Sequence, residues 1–304
     1  MIKGKFPNDK FESLETPFYY YDMELLQKTL QTITKETENR PFHVHYALKA
    51  NANTRILREI ASQGFGADCV SGNEILKAIE CGFSPSKIAF AGVGKSDKEI
   101  NIGLDNDIFC FNVESIPEIE VLNELAAKKG KIASVALRIN PNVDARTHKY
   151  ITTGLNENKF GINEQDLPVT LKTLSNSPNI KLIGIHFHIG SQITDLTSFE
   201  DLCVKIKLLR EWFHDQGISL EIINAGGGLG INYQHPNHFP MADFESYFRL
   251  FDKHLKLEDG QSLHFELGRS LVAACGSLIS RALYLKEGIQ KNFLIIDAGM
   301  TDLI

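Results

Sequence analysis

The sequence predicts an α/β protein: a (β/α)8 barrel followed by the beginning of an antiparallel β domain. Two observations carry that expectation. Short segments rich in β-branched and aromatic residues recur near 43–48, 66–70, 87–91, 107–112, 132–139, 181–188, 220–225 and 262–266. The longer stretches between them are amphipathic, and four open on a capping-box pattern: Ser71-x-x-Glu74, Ser96-x-x-Glu99, Ser115-x-x-Glu118 and Thr197-x-x-Glu200. In such a box the hydroxyl accepts an early helix N–H and the carboxylate returns to the N–H of the cap residue. Strand-then-helix units in series want parallel pairing, and eight of them can close into a barrel. An open doubly wound sheet is the alternative topology. It is weakened by the run Gly226-Gly227-Gly228-Leu229-Gly230, which misses the dinucleotide spacing G-x-G-x-x-G because position 231 is Ile.

Taken in order, Met1 to Lys10 is polar and charged, with no apolar core of a secretory signal. Phe18 to Asp22 follows Pro17 and reads as a short strand, after which Asp22 caps a helix to about Gln31. The alternation of strands and helices sets in after Pro41. Pro117 sits in the first turn of its helix, where a missing N–H loses nothing. After Gly268 the texture changes, and 270–285 and 292–298 read as strands without intervening helices. The expected organisation is a strand segment at 1–21 that joins the β domain, a barrel at 22–268, and the start of the β domain at 269–304.

Composition narrows the function. The chain has 304 residues, 43% hydrophobic and 23% charged, which suits a globular protein with an ample core. A net charge of -6 and the lack of a basic cluster argue against nucleic acid, and no apolar run reaches the length of a membrane span. Five scattered cysteines without C-x-x-C spacing suggest reduced thiols in the cytoplasm.

Barrel chemistry sits at the carboxyl ends of the strands. The first strand ends in Tyr46-Ala47-Leu48-Lys49-Ala50-Asn51 and hands out a lysine, as a Schiff-base nucleophile requires; the alternative is a solvated surface lysine. Asp68 lies on the second strand and Arg138 on the fifth. The sixth ends in His186-Phe187-His188-Ile189-Gly190-Ser191. There His188 suits stacking on a planar ring and His186 reads as an interior histidine, with a metal pair as the rival. The glycines at 226–228 let backbone N–H groups approach a phosphate; a tight turn is the alternative. Glu266 suits a protonated ring nitrogen and Arg269 a carboxylate or phosphate, unless the two merely pair with each other. A lysine nucleophile, a phosphate cradle, a stacking imidazole and an acid for a ring nitrogen together describe pyridoxal 5'-phosphate.

The same residues, with Asn224-Ala225-Gly226-Gly227-Gly228-Leu229-Gly230 and Glu266-Leu267-Gly268-Arg269, resemble the motifs of fold-type III pyridoxal-phosphate decarboxylases. The stretch from His148 to Ile162 is most similar to the diaminopimelate branch. The resemblance runs from about Thr16 to the end. It implies a homodimer with shared active sites that converts meso-diaminopimelate to L-lysine and CO2. It also implies Lys49 as the catalytic Schiff-base residue, His188 on the ring, and Ser191 with Gly226, Gly227 and Gly228 at the phosphate. Glu266 and Gly268 would line the cofactor, Arg269 would contact cofactor and substrate, and Asp68 with Arg138 would complete the shell. Leu267 stands where the family usually has proline. In the family the chain continues past Met300-Thr301-Asp302-Leu303 with a second substrate arginine, a phosphate tyrosine and a cysteine-acid motif. None of these occurs here, so a piece of a longer enzyme is expected. Three rivals stay open: the same chemistry on ornithine, arginine or a carboxylated polyamine, a metal hydrolase using His186 and His188, and a fragment that binds a partner subunit without turnover.

Overall fold

In the computed structural model, which describes residues 6–143 and 159–303, eight parallel strands close into a barrel. After β1 (Phe18–Tyr21), the barrel runs in sequence order through β2 (Phe42–Ala47), β3 (Gly66–Cys69), β4 (Ile88–Phe90) and β5 (Cys110–Val113). It continues through β6 (Ala133–Arg138), β7 (Ile180–His186), β8 (Ile222–Asn224) and β9 (Ser262–Leu267), and β9 pairs back with β2. The strand positions expected from sequence hold to within a few residues, and the open-sheet alternative is excluded. Register brings the chemistry to one level. Ala47 is paired with Asp68, Arg138 with His186, and His186 with Asn224.

Ten α-helices are described: α1 (Asn8–Phe11), α2 (Met23–Thr37), α3 (Thr54–Ser62), α4 (Gly72–Glu80), α5 (Asp97–Asp105), α6 (Ile116–Lys128), α7 (Leu167–Ser175), α8 (Thr197–Asp215), α9 (Phe244–His254) and α10 (Arg269–Val272). Asp22 caps α2 by accepting the Leu25 N–H at 3.0 Å. The helix runs past Gln31 because Ile33 extends the buried stripe of Leu26, Thr29 and Leu30. The aromatic face of α9 packs Tyr247, Phe248 and Phe251 around Phe265 of β9, with ring centroids 5.0–5.6 Å apart. Each such fully buried ring contributes about 2–3 kcal/mol, and together they hold the last strand in place.

The capping boxes are realised unequally. Ser96 and Glu99 form the full reciprocal box on α5. On α4 and α6 the Ser71 and Ser115 hydroxyls accept the expected N–H, but Glu74 and Glu118 reach one residue further back, to the Val70 and Glu114 N–H groups. Thr197 is not a cap: it lies in the first turn of α8, and Asp195 accepts both its N–H and its hydroxyl proton. The Glu200 N–H that the box would direct to Thr197 goes instead to the Leu196 carbonyl at 3.3 Å, because the helix already begins there. The expected strand from 270 begins instead as the single turn α10, and the strands are β10 (Gly276–Ile279), β11 (Ala282–Lys286) and β12 (Phe293–Ile296). β1 pairs antiparallel with β10, and β11 with β12. Most of the His148–Ile162 stretch lies outside the described residues.

Candidate active site

The carboxyl end of the barrel gathers the predicted side chains. Lys49 sits in a short 3-10 turn directly after β2, with its amine 3.7 Å from Asp68 Oδ2. Asp68 is 1% exposed, whereas the lysine side chain is 53% exposed, so the amine stands in the open mouth beside a buried acid. Burial above all, then the charge of Glu266, pushes the Asp68 carboxyl up to about 8 against the pull of Lys49. Its Oδ1 is buried without a hydrogen-bond partner among the described residues. Near neutrality the Asp68 carboxyl beside the lysine is therefore largely protonated.

Glu266 closes the barrel centre from β9. Asn112 and Asn224 each donate to its Oε1 at 2.8 Å, and His186 Nε2 meets its Oε2 at 2.9 Å. Burial is the largest influence on this carboxyl and opposes ionisation. The charge and hydrogen bond of His186, with Lys49 adding, overcome it and hold the group below the usual carboxylate range. A carboxylate has about four acceptor positions. Three are taken here, which leaves one on Oε2 for a further donor. His186, 1% exposed, is thus an interior histidine with its Nε2 on Glu266.

His188 lies two residues beyond β7, over the glycine run, where the Gly227 N–H reaches its Nδ1 at 3.4 Å. Burial first, then the positive charges of Lys49 and Arg138, keep its imidazole neutral. Gly226 and Gly228 adopt φ of +71° and +111°, which L side chains rarely take. A Cβ on Gly227 would stand 2.0 Å from the Glu266 carbonyl oxygen, so glycine there serves close approach as well as turning. Gly268 precedes α10, and a Cβ on it would meet Ala47 and Ala50 at 3.0–3.1 Å, beside the lysine turn. Arg269, at the start of α10, donates to the Tyr233 hydroxyl at 2.7 Å, and its Nε is buried without a partner among the described residues. It does not pair with Glu266, so the salt-bridge alternative for these two fails. Ser191 lies on the loop after β7, partly buried.

Arg138 is near but differently engaged. Its Nη1 meets both oxygens of Glu114 at 3.0 Å, and Phe160 lies under its guanidinium at 4.8 Å. Glu114, Asn112 and Asn224 are the functional neighbours that sequence reasoning missed. The usable signal was polarity on inward positions: Asn112 and Asn224 interrupt otherwise apolar strands.

The residues present fit pyridoxal phosphate on three counts. An ionised Glu266 keeps one acceptor position free, a neutral imidazole faces the same space, and the glycine backbone leaves no room for side chains.

Comparison with known proteins agrees. The family described as pyridoxal-dependent decarboxylase, pyridoxal binding domain, matches residues 23–273. A diaminopimelate decarboxylase of Bacteroides thetaiotaomicron is 57% identical over the whole chain, which spans 79% of that relative. One of Neisseria meningitidis is 42% identical over 96% of this chain and 71% of its own length. The crystal structure of diaminopimelate decarboxylase from Helicobacter pylori complexed with L-lysine superimposes with a TM-score of 0.90 at 37% identity, covering 97% of this chain and 73% of that one.

Proposed function

We propose, on the premise that this chain belongs to the diaminopimelate decarboxylases within the pyridoxal-dependent decarboxylases, that it removes CO2 from meso-2,6-diaminopimelate to yield L-lysine. It is a carboxy-lyase whose cofactor is pyridoxal 5'-phosphate, and its substrate is a small amino acid. The observation that carries the reading is the pairing of Lys49 with a protonated Asp68 opposite an ionised Glu266 in one barrel mouth.

When bound, the cofactor supplies an electron sink for the pair left behind by departing CO2. The chain's residues divide the rest. Lys49 Nζ would hold the cofactor through its carbonyl group. Asp68, with its carboxyl raised and its Oδ2 3.7 Å from that amine, would give or take the amine's proton. Glu266 would keep a ring nitrogen charged, because an opposite charge nearby favours the charged form. A neutral His188 would pack on the ring without repelling a positive nitrogen. Ser191 and Gly226, Gly227 and Gly228 would receive the phosphate, Gly268 would keep the floor clear, and Arg269 would take a substrate carboxylate.

The reading includes residues 22–268 as the cofactor barrel, with 1–21 and 269–304 forming one β unit; the β1–β10 pairing supports that grouping. It also includes a cytoplasmic homodimer with shared sites, which the five free cysteines and the family's motifs favour.

The test is borohydride reduction of the cofactor-loaded chain, followed by peptide mapping. We expect the pyridoxyl mass on the peptide holding Lys49, its loss in Lys49→Ala, and CO2 release from diaminopimelate in preference to ornithine or arginine. A label on another lysine, or its retention in Lys49→Ala, overturns the assignment.

A further inference from the structure

We infer that Gln192 is the positioning residue of the anion cradle, clasping the loop after β7 to the glycine loop after β8. This rests on the pyridoxal-phosphate reading above. Gln192 stands at φ +58°, a left-handed conformation uncommon for a residue with a long side chain. Such a conformation persists only where the surroundings over-determine it. The surroundings here are its own side chain. Gln192 Nε2 donates to the Ile231 carbonyl at 2.6 Å, and Gln192 Oε1 accepts the Ile231 N–H at 3.2 Å. One amide thereby satisfies both backbone groups of one residue, as an adjacent strand would.

The neighbouring residues continue the seam. The Ile193 N–H donates to the Gly228 carbonyl at 2.8 Å, and the Gly230 N–H donates to the Ile193 carbonyl at 2.9 Å. Across this seam the backbones touch with no room for side chains. A Cβ on Gly228 would stand 2.7 Å from the Gly190 carbonyl oxygen, and one on Gly230 would stand 3.0 Å from Gln192 itself. Ser191 and the glycines at 226–228 are the groups assigned to the phosphate, and they sit on the two opposite loops. Their separation is therefore set by the seam that Gln192 closes. A neutral amide suits the place: glutamate would set an acceptor against the Ile231 carbonyl and add a negative charge beside a dianion.

The test compares the full chain with Gln192→Ala, which removes the clasp, and Gln192→Gly, which also frees φ. Dissociation constants are measured for pyridoxal 5'-phosphate and for pyridoxal, which lacks the phosphate, together with the thermal midpoint of the cofactor-free protein. Both variants should bind pyridoxal phosphate about tenfold more weakly, the loss expected for two hydrogen bonds. Pyridoxal affinity should change by less than about twofold, since the clasp acts only through the phosphate. Unchanged pyridoxal phosphate affinity overturns the inference, as do equal losses for both ligands or full recovery in Gln192→Gly. If the unaltered chain itself shows no preference for the phosphorylated form, the cofactor reading fails instead.

Discussion

Replacing Glu114 by Gln should destabilise the protein far more than its neutral shape suggests. Glu114 follows β5 and is 1% exposed; its partner Arg138 is 8% exposed. Both carboxylate oxygens lie 3.0 Å from Arg138 Nη1, while the Gly92 and Gly161 N–H groups donate to them at 2.8 and 3.2 Å. One carboxylate thus ties together the ends of β4, β5 and β6 and the backbone at Gly161. Glutamine keeps the volume but places an NH2 where one acceptor stood, so one backbone N–H loses its partner and the guanidinium stays buried without a counter-charge. Breaking one side of a buried pair costs about 3–5 kcal/mol. At roughly 2 cal/mol/K of unfolding entropy per residue, a chain of this length loses about 1.5 °C per kcal/mol, so the thermal midpoint should fall by about 5–8 °C. The assay is calorimetry on Glu114→Gln, Arg138→Met and the double variant. Removing the orphaned charge should make the double variant lose less than the sum of the two singles. A fall under about 2 °C for Glu114→Gln, or simple additivity in the double, would refute the reasoning.

Two further outcomes follow from the site. Asp68 has its folded pKa raised to about 8, so its contribution is full below the ordinary carboxyl pKa and is lost as pH rises through 8. Asp68→Asn, a mimic of the protonated acid, should match the cofactor-free parent near about pH 3, exceed it increasingly between about pH 4 and about pH 8, and level off above that; parallel melting curves across that range count against it. In Gly227→Ala the new methyl would lie 2.0 Å from the Glu266 carbonyl, so pyridoxal phosphate affinity should fall at least about tenfold, whereas Gly94→Ala, which meets nothing within 4 Å, should bind as before. Equal titrations for the two variants exclude the close-approach argument.

The barrel was legible because its signals are local. Apolar strands, capping hydroxyls and turn glycines act within a few residues, and Lys49, Asp68, His188 and Glu266 each stand at or near a strand end. What escaped depends on neighbours distant in sequence. Glu114 reads as one more acid before a helix cap until Arg138 of the next strand meets it. The Asn112 and Asn224 amides acquire a purpose only when β8 pairs beside β9 and β5 faces it across the barrel. Thr197 misleads because α8 begins at that residue, so its hydroxyl turns back to Asp195 and the Glu200 N–H bonds the Leu196 carbonyl. The single turn α10 is too short for periodicity to reveal.

Strand β9 shows why the chemistry belongs at one end of the barrel and not the other. Ser262, His264 and Glu266 alternate along it and so share one face. At the amino-terminal end the Lys87 carbonyl accepts the His45 Nδ1–H at 3.0 Å, which leaves His45 Nε2 as acceptor for His264 Nδ1–H at 2.8 Å. His264 Nε2 then accepts the Ser262 hydroxyl at 2.9 Å. Every donor in this chain meets an acceptor while both imidazoles are neutral. Burial pushes His264 well below its ordinary value and His45 down to about 4. A cavity of about 530 Å³ opens beside this end, lined by His43, His45, Lys87, Phe109, Ser262 and His264. Its hydrogen bonds are closed and its buried groups carry no charge. Two residues from His264, equally deep, Glu266 is ionised because His186 and two asparagine amides outweigh the same burial, and it keeps one acceptor position open. A stabilised charge with an unused acceptor is what a cationic ring nitrogen requires, and it occurs on β9 only where Lys49 and Asp68 also arrive.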